Sequence, residues 1–326
     1  MTELIKKLMK TPAVSGREKN IAEIIKAEIS PYCDEVFTDN LGNLCAHKKG
    51  VGKKVIFAAH MDEIGFFVSY IEDSGLVRVT SVGGFNYIAA AYSSVTFENG
   101  VRGVIIPGGE DANKTDKYFV DIGSSSRKQT EKKLSLGEFG TLDRSFIRLS
   151  GKRYTGRPFD DRVGCAVLVE AIKQIKESEN DLYFVFTVQE EVGCRGAFPA
   201  AFNIEADYAI AVDVTATGDV PGAKTMAVKL GGGAAVKIRD NSVICDRGVV
   251  EKLKTLAEES KIKYQLEILE RGGTDTGAIQ RSGRGARVGA VSVPTRYIHT
   301  AVETVDMGDV LACVKLVSLA AQTKFE

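Results

Sequence analysis

The sequence predicts an α/β fold, a central mixed sheet flanked by helices, with a small β-barrel-like domain inserted into it. Runs of β-branched and aromatic residues at 55–59 and 182–186 are typical of strands buried on both faces. Helical periodicity alternates with these runs, as at 163–176, and this alternation favours an α/β sandwich. Between residues 67 and 153 the pattern changes to short alternating segments separated by glycines, which predicts an all-β module.

The remaining elements follow from the same two periodicities. Helices are also predicted at 2–10, 17–29, 249–261 and 305–322, and strands at 208–212 and 286–293. Ser15 is the expected N-cap of the second helix, because its hydroxyl can accept from a free backbone N–H. The chain is therefore divided into one domain formed by 1–66 and 154–326 and an insert formed by 67–153.

Composition argues against nucleic-acid and membrane partners. The 326 residues include 43 lysines plus arginines and 43 aspartates plus glutamates, so the formal net charge is zero. No run approaches the roughly 18 apolar residues that span a bilayer, and residues 1–10 lack the apolar segment of a signal peptide. The six cysteines form no C-x-x-C pair, so we expect free thiols and a cytoplasmic protein.

Two adjacent carboxylates, Glu190 and Glu191, follow the predicted buried strand at 182–186. Neighbouring strand residues point to opposite sides, so the two can have different roles. Two negative charges at the end of a core strand repel unless a cation is present. A metal ion would resolve this, with one carboxylate as ligand and the other handling protons. The alternative is a pair of solvated glutamates.

His60 and Asp62 form an H-x-D pair at the end of the predicted strand at 55–59. A carboxylate beside the imidazole can accept its second N–H and make it a better metal ligand, although a half-buried histidine with a salt-bridging neighbour has the same pattern. Asp160 and Asp161 precede the helix at 163–176. One of them is expected to cap the helix, and the other is a candidate ligand able to bridge two cations.

Asp213 and His299 complete the set of candidate ligands. Asp213 follows the predicted strand at 208–212, and His299, one of only three histidines, comes soon after the strand at 286–293. Ligands gather at the carboxyl ends of strands in open α/β sheets, so the coincidence of polar groups at several such ends is more informative than any one motif.

Gly272 and Gly273 begin a glycine-rich stretch that continues through Thr274 and Asp275. It has neither a P-loop lysine nor dinucleotide-binding spacing. We interpret it either as backbone that lines a site or as a tight turn.

Six motifs taken together resemble those of the tetrahedral aminopeptidases, the glutamyl aminopeptidase family of dinuclear metallopeptidases, some of which have been labelled endoglucanases. They are A-H-M-D-E-I-G-F at 59–66, G-R-P-F-D-D-R-V-G-C at 156–165, V-Q-E-E-V-G-C-R-G-A at 188–197, A-V-D-V-T at 211–215, G-G-T-D-T-G-A at 272–278 and Y-I-H-T at 297–300. The resemblance covers nearly the whole chain, including the insert, and six motifs in this order are highly specific.

The resemblance implies a role for each candidate residue. His60, Asp160 and Asp213 would hold one divalent metal ion, and Asp160, Glu191 and His299 a second, with Asp160 bridging. Glu190 would be the general base, Asp62 the partner of His60, and residues 272–275 part of the pocket for peptide substrates. Zinc or cobalt, with manganese possible, would suit these nitrogen and oxygen ligands. The insert would mediate dimerisation, and dimers would assemble into a homododecamer.

Two other functions are compatible with parts of the sequence. Glu190 and Glu191 could serve a glycoside hydrolase, although adjacent residues are poorly placed to act as an acid and nucleophile pair. A non-catalytic assembly protein would bind no catalytic metal. The preferred N-terminal residue of a substrate is not indicated; a pocket for acidic side chains needs a cation, for which Arg195, Arg271 and Arg296 are candidates.

Overall fold

The computed structural model describes residues 1–108 and 118–326, and residues 109–117 of the predicted insert lie outside the described residues. An 11-stranded mixed sheet, covered by helices, and a closed six-stranded barrel make up the described part. The predicted fold class is therefore confirmed.

The elements are numbered in chain order. The strands are β1 (Glu35–Thr38), β2 (Leu44–Lys48), β3 (Lys54–His60), β4 (Gly65–Ile71), β5 (Val77–Val82), β6 (Ser94–Phe97), β7 (Arg102–Pro107), β8 (Tyr118–Asp121), β9 (Phe139–Leu142), β10 (Ser145–Arg148), β11 (Arg153–Arg157), β12 (Asp181–Thr187), β13 (Tyr208–Thr215), β14 (Ala234–Arg239), β15 (Tyr264–Ile268), β16 (Arg287–Arg296) and β17 (Glu303–Asp306). The helices are α1 (Thr2–Met9), α2 (Lys19–Ile29), α3 (Tyr87–Ala90), α4 (Arg127–Glu131), α5 (Arg162–Gln174), α6 (Ala197–Ile204), α7 (Arg247–Glu259), α8 (Asp275–Gln280) and α9 (Met307–Gln322).

Four parallel strands, β12, β3, β13 and β16, form the centre of the large sheet. Their register pairs Thr187 with His60 and Asp213 with Ser292. The carboxyl ends of the four strands therefore lie at one edge of the sheet, and the loops that follow them converge there.

The central strands are covered on both faces. In β13 every residue is buried, and in β3 every residue after Lys54 is buried. α5, α9 and α7 pack on the strands, with α1 and α2 packed against α5, while α6 and α8 cover the central strands from the other face. This two-sided burial explains why the strands have continuous apolar sequences rather than alternating ones. In the part of the chain that the structure describes, no helix combines the length and apolar character needed to span a bilayer.

The barrel is closed by strands β4 to β9, in the order β4-β5-β8-β7-β6-β9. Its core contains the edge-to-face aromatic pairs Phe66–Phe85 and Phe66–Phe97, with ring centroids 5.8 and 5.7 Å apart. β10 belongs to the large sheet instead, because it pairs with β11, which in turn pairs with β17. The chain thus leaves the large sheet after β3 and returns to it at β10.

Three local expectations were wrong. Ser15 does not cap α2, which begins at Lys19 with Glu18 at the N-cap position; its hydroxyl instead donates to Asp62 Oδ2 at 2.6 Å. The strand expected at 208–212 continues to Thr215, so Asp213 lies within β13. α5 is also buried over nearly its whole surface, because α1, α2 and α9 surround the face that an amphipathic helix would expose.

A buried ion-pair network joins β14 and β15. Lys237 is fully buried; its Nζ contacts Glu267 Oε1 and lies 3.5 Å from Asp240 Oδ2. The Thr215 hydroxyl also donates to Glu267, at 2.7 Å. Buried charges are tolerated only when they are paired, so removing the lysine leaves two carboxylates without their cation.

We therefore expect Lys237→Met to lower the free energy of unfolding by about 3–5 kcal/mol, because it breaks a buried ion pair from one side. Denaturant-induced unfolding followed by circular dichroism measures the change. Lys173→Met is the matched control: Lys173 also contacts two carboxylates, Glu28 and Glu170, but these remain accessible to water. Equal effects of the two substitutions would contradict the prediction.

Candidate functional site

Polar side chains from five segments meet at the carboxyl edge of the parallel strands. His60 ends β3, Asp213 lies near the end of β13, and Glu190 and Glu191 follow β12. Asp160 comes from the segment between β11 and α5, and His299 from the loop after β16. A cavity of about 540 Å³ opens onto all of them. The structure thus brings together every residue that was predicted to bind metal.

The first group consists of His60, Asp160 and Asp213, all three of which are buried. His60 Nε2 lies 3.1 Å from Asp160 Oδ1 and 3.8 Å from Asp213 Oδ1. The other ring nitrogen, Nδ1, lies 3.1 Å from the main-chain carbonyl oxygen of Asp62. Donation from Nδ1 to that carbonyl leaves the lone pair of Nε2 directed at the two carboxylates, which is the tautomer of a metal ligand.

The second group consists of Asp160, Glu191 and His299. His299 Nε2 lies 3.2 Å from Asp160 Oδ2 and 3.2 Å from Glu191 Oε2. The two oxygens of Asp160 therefore face different histidines, Oδ1 toward His60 and Oδ2 toward His299. A carboxylate placed in this way has one oxygen for each of two neighbouring cations.

Asp161 is the N-cap of α5. Its Oδ1 accepts from the backbone N–H of Gly164 at 3.0 Å. This arrangement answers the question that the sequence left open, since Asp161 caps the helix while Asp160 points to the two histidines.

Asp62 connects the two loops that carry the candidate ligands. Its Oδ1 accepts from the backbone N–H of Glu190 at 3.0 Å, and its Oδ2 accepts from that of Glu191 at 3.2 Å and from Ser15 Oγ at 2.6 Å. Asp62 Oδ1 also lies 3.4 Å from His60 Nδ1. One fully buried carboxylate therefore fixes the orientation of both the imidazole and the adjacent glutamates.

Glu190 lies beside Cys194 and Asp275. The Cys194 thiol donates to Glu190 Oε1 at 3.2 Å, and the Thr187 hydroxyl donates to Asp275 Oδ2. Gly272 and Gly273 line the same cavity, whereas Thr274 is buried at the N-cap of α8. Substrate binding by residues 272–275 stays a prediction.

The electrostatics of the site fit divalent cations. Burial raises the pKa of Glu190 and of Asp213 well above the usual range of carboxyl groups, and neighbouring carboxylates raise it further. Glu191 Oε1 is buried and has no hydrogen-bond partner among the described residues. A cation would favour the ionised form of these groups and satisfy that oxygen. In both groups the ligand atoms lie within 4.8 Å of one another, and each offers three ligands, as catalytic metal sites do.

Glu303 is a site residue that no sequence motif indicated. It is almost fully buried, and its Oε2 accepts from the backbone N–H groups of Phe159 and Asp160 at 2.6 and 3.1 Å. Its Oε1 accepts from the backbone N–H of His299 at 3.1 Å. Because all its partners are main-chain groups, only the folded structure reveals that Glu303 joins two ligand-bearing loops.

Comparison with models of known protein families identifies the family of this chain. The M42 glutamyl aminopeptidase model matches residues 42–316. The chain belongs to this family. M42 peptidases are aminopeptidases that depend on metal ions, in agreement with the two groups of candidate ligands at the sheet edge.

Relatives and solved structures cover nearly the full length of this M42 chain. A putative aminopeptidase of Acetivibrio thermocellus is 47% identical over 320 residues, 97% of either chain. An aminopeptidase from the archaeon Desulfurococcus kamchatkensis has a similar structure, with a TM-score of 0.93, 36% identity and coverage of 98% and 94% of the two chains. The Pyrococcus horikoshii TET1 peptidase, which can assemble into a tetrahedron or a large octahedral shell, gives a TM-score of 0.86, 34% identity and coverage of 98% of either chain.

We expect Glu303→Gln to weaken metal binding by about 10–100-fold, the usual effect of removing a hydrogen-bond partner that orients ligands. The amide would turn an NH₂ group toward backbone N–H donors and release the segments that carry Asp160 and His299. Titration of the metal-free protein with zinc, followed by calorimetry, measures the affinity. Glu170→Gln, on the outer part of α5, is the control. Unchanged affinity in Glu303→Gln would show that the loops hold their positions without this carboxylate.

Proposed function

We propose that the protein removes N-terminal amino acids from peptides with the help of two divalent metal ions per chain. His60, Asp160 and Asp213 would hold one ion, and Asp160, Glu191 and His299 the other. The observation that carries this proposal is the position of Asp160, whose two oxygens face the two histidines at 3.1 and 3.2 Å. Zinc, cobalt and manganese all suit these ligands.

The bound ions would supply Lewis acidity toward water and toward the scissile carbonyl group. The remaining chemistry is assigned to residues of the chain. Glu190 is proposed to accept the proton of the attacking water on a carboxylate oxygen and to deliver it to the leaving amine. It lines the cavity beside both ligand groups and belongs to neither of them, lying instead in a separate cluster with Cys194 and Asp275. Its position beside the two groups supports this role. Asp62 positions Glu190 through its backbone N–H rather than through its side chain.

We further propose that the chain functions as a homo-oligomer in which the barrel mediates dimerisation and dimers form a dodecamer. The assembly of the similar Pyrococcus horikoshii TET1 peptidase into a tetrahedron supports this proposal. Light scattering in the presence of metal would give twelve times the mass of one chain. A monomer under those conditions would refute it.

We expect Glu190→Gln to lower kcat for an aminoacyl anilide by about 10²–10⁴-fold, the usual contribution of a general base, while both metal ions remain bound. The amide keeps the size of the side chain but cannot take up a proton. Metal content is measured by mass spectrometry alongside the kinetics.

Glu191→Gln is the matched comparison, because it alters the adjacent residue and is expected to reduce metal content as well as kcat. Wild-type turnover by Glu190→Gln, with metal retained, would remove Glu190 from the role of base.

Chelation separates this proposal from the two alternatives. We expect dialysis against a chelator to abolish hydrolysis of aminoacyl anilides and added zinc, cobalt or manganese to restore it, because the bound ions would supply the Lewis acidity that activates water. Cellulose hydrolysis that survives the chelator would favour a glycoside hydrolase. A protein that binds metal and hydrolyses no aminoacyl anilide would favour a non-catalytic assembly.

A further inference from the structure

A second cavity, of about 710 Å³, opens beside the one that contains the candidate ligands. The two share Ala216, Leu269, Arg271 and Ile298 in their walls, and Ile298 directly precedes His299. A substrate residue could therefore place its side chain in the second cavity while its peptide bond lies at the ligand groups. Its volume is in the range of pockets that bind small molecules.

The walls of this second cavity are mainly apolar. Leu266 and Ile268 of β15 face it, whereas Glu267, between them, points to the opposite side and pairs with Lys237. This alternation is the normal side-chain period of a strand, and it places the one charged residue of the segment outside the cavity. Met226 and Ile238 add further apolar surface.

Two of the three cations that line the cavity, Arg296 and Lys224, are already paired. Arg296 donates to both oxygens of Asp219, from Nε at 3.1 Å and from Nη2 at 2.6 Å, and Lys224 Nζ lies 3.2 Å from Glu270 Oε2. Burial raises the pKa of Asp219, but its hydrogen bonds with Arg296 outweigh this and bring the pKa down to about 2. Asp219 is therefore ionised at neutral pH and neutralises Arg296.

Of the other two candidate cations, only Arg271 lines the second cavity, where that cavity meets the first. Arg195 does not line it; its Nη1 instead donates to Gln189 Oε1 at 3.5 Å. Arg271 is exposed and stands where the two cavities meet. An acidic side chain that passed Arg271 and entered the second cavity would lose its water, and the other two lining cations, Arg296 and Lys224, already have carboxylate partners.

We propose that the second cavity binds the side chain of the N-terminal residue of the substrate and selects large neutral apolar side chains, and that Asp219 determines this preference by occupying Arg296. The proposal rests on the proposed aminopeptidase function and adds the class of substrate to it. Asp219 acts as a specificity-determining residue, since it holds the charge of Arg296 and does not itself line the cavity.

The first experiment compares kcat/KM of the metal-loaded wild-type protein for leucyl, methionyl, phenylalanyl, alanyl, glutamyl and lysyl anilides. We expect the three large apolar residues to exceed alanine by at least about 10-fold, because each methylene placed in an apolar pocket contributes to binding. We expect them to exceed glutamate and lysine by about 100-fold, because both must shed water from a charge.

The second experiment releases Arg296. In Asp219→Asn the carboxylate charge is lost while an oxygen remains, so Arg296 becomes available to a substrate carboxylate. We expect the ratio of kcat/KM for the glutamyl to the leucyl anilide to rise by about 10-fold, the scale of one hydrogen bond to a charged group.

Asp207→Asn is the matched control. Asp207 also pairs with an arginine, Arg284, at 2.8 Å, accepts from a backbone N–H, that of Lys54, at 3.1 Å, and has the same side-chain exposure of 26% as Asp219. It does not line either cavity. We expect its glutamyl-to-leucyl ratio to equal that of the wild type.

A third variant tests the same proposal independently, in case Asp219→Asn does not fold. Ile268 lines the cavity and is 53% exposed, so Ile268→Lys places a cation in the cavity without opening the core. It should raise the same glutamyl-to-leucyl ratio. The oligomeric mass of each variant is measured as well.

The outcomes are distinguishable. Hydrolysis of none of the six anilides would refute the aminopeptidase function itself. Hydrolysis with a wild-type preference for glutamate or lysine would refute only the proposed selection, and would point to Arg271 for glutamate. A changed oligomeric mass in Ile268→Lys with an unchanged ratio would overturn the proposal by assigning the cavity to a contact between subunits.

Discussion

The structure depends on one electrostatic constraint: several carboxylates lie close together in a region from which water is largely excluded. Asp160, Glu191 and Asp213 surround two imidazoles, and Glu190 stands next to them. Charges of one sign in such a place are tolerated only with compensating cations. The histidines alone supply too little positive charge and donate too few hydrogen bonds, since Glu191 Oε1 has no partner among the described residues. The geometry of this chain is therefore the one expected of a metal-binding site.

The fold meets this constraint by distributing the ligands over elements that are themselves rigid. Four parallel strands end at the same edge of the sheet. Their residue pairing fixes the positions of His60 and Asp213 along that edge. Two further carboxylates act on the backbone. Asp62 binds the N–H groups of the loop after β12, and Glu303 binds those of the loops on either side of the site. A ligand on a loop thus becomes as well positioned as one on a strand.

Much of this arrangement could be predicted from sequence, for reasons that also explain the exceptions. Buried strands and helices have distinct periods, and polar residues after buried strands indicate the functional edge. Asp160 and Asp161 could not be told apart, because an N-cap and a metal ligand require the same side chain and only the backbone path decides. Glu303 gave no signal, since it contacts main-chain atoms. Arg296 was one of three candidate cations, and its pairing with Asp219 depends on a contact across 77 residues.

Glu303 has a consequence for the order in which the site can form during synthesis. It lies on β17, after every proposed ligand in the chain. The first proposed ligand, His60, is made long before it, yet the hydrogen bonds that join Glu303 to the segments carrying Asp160 and His299 can form only after Glu303 has been translated. A nascent chain still lacking this residue therefore has every proposed ligand but lacks these hydrogen bonds between the segments that carry them. On the proposed assignment, the full affinity for metal is gained only after residue 303 has been translated.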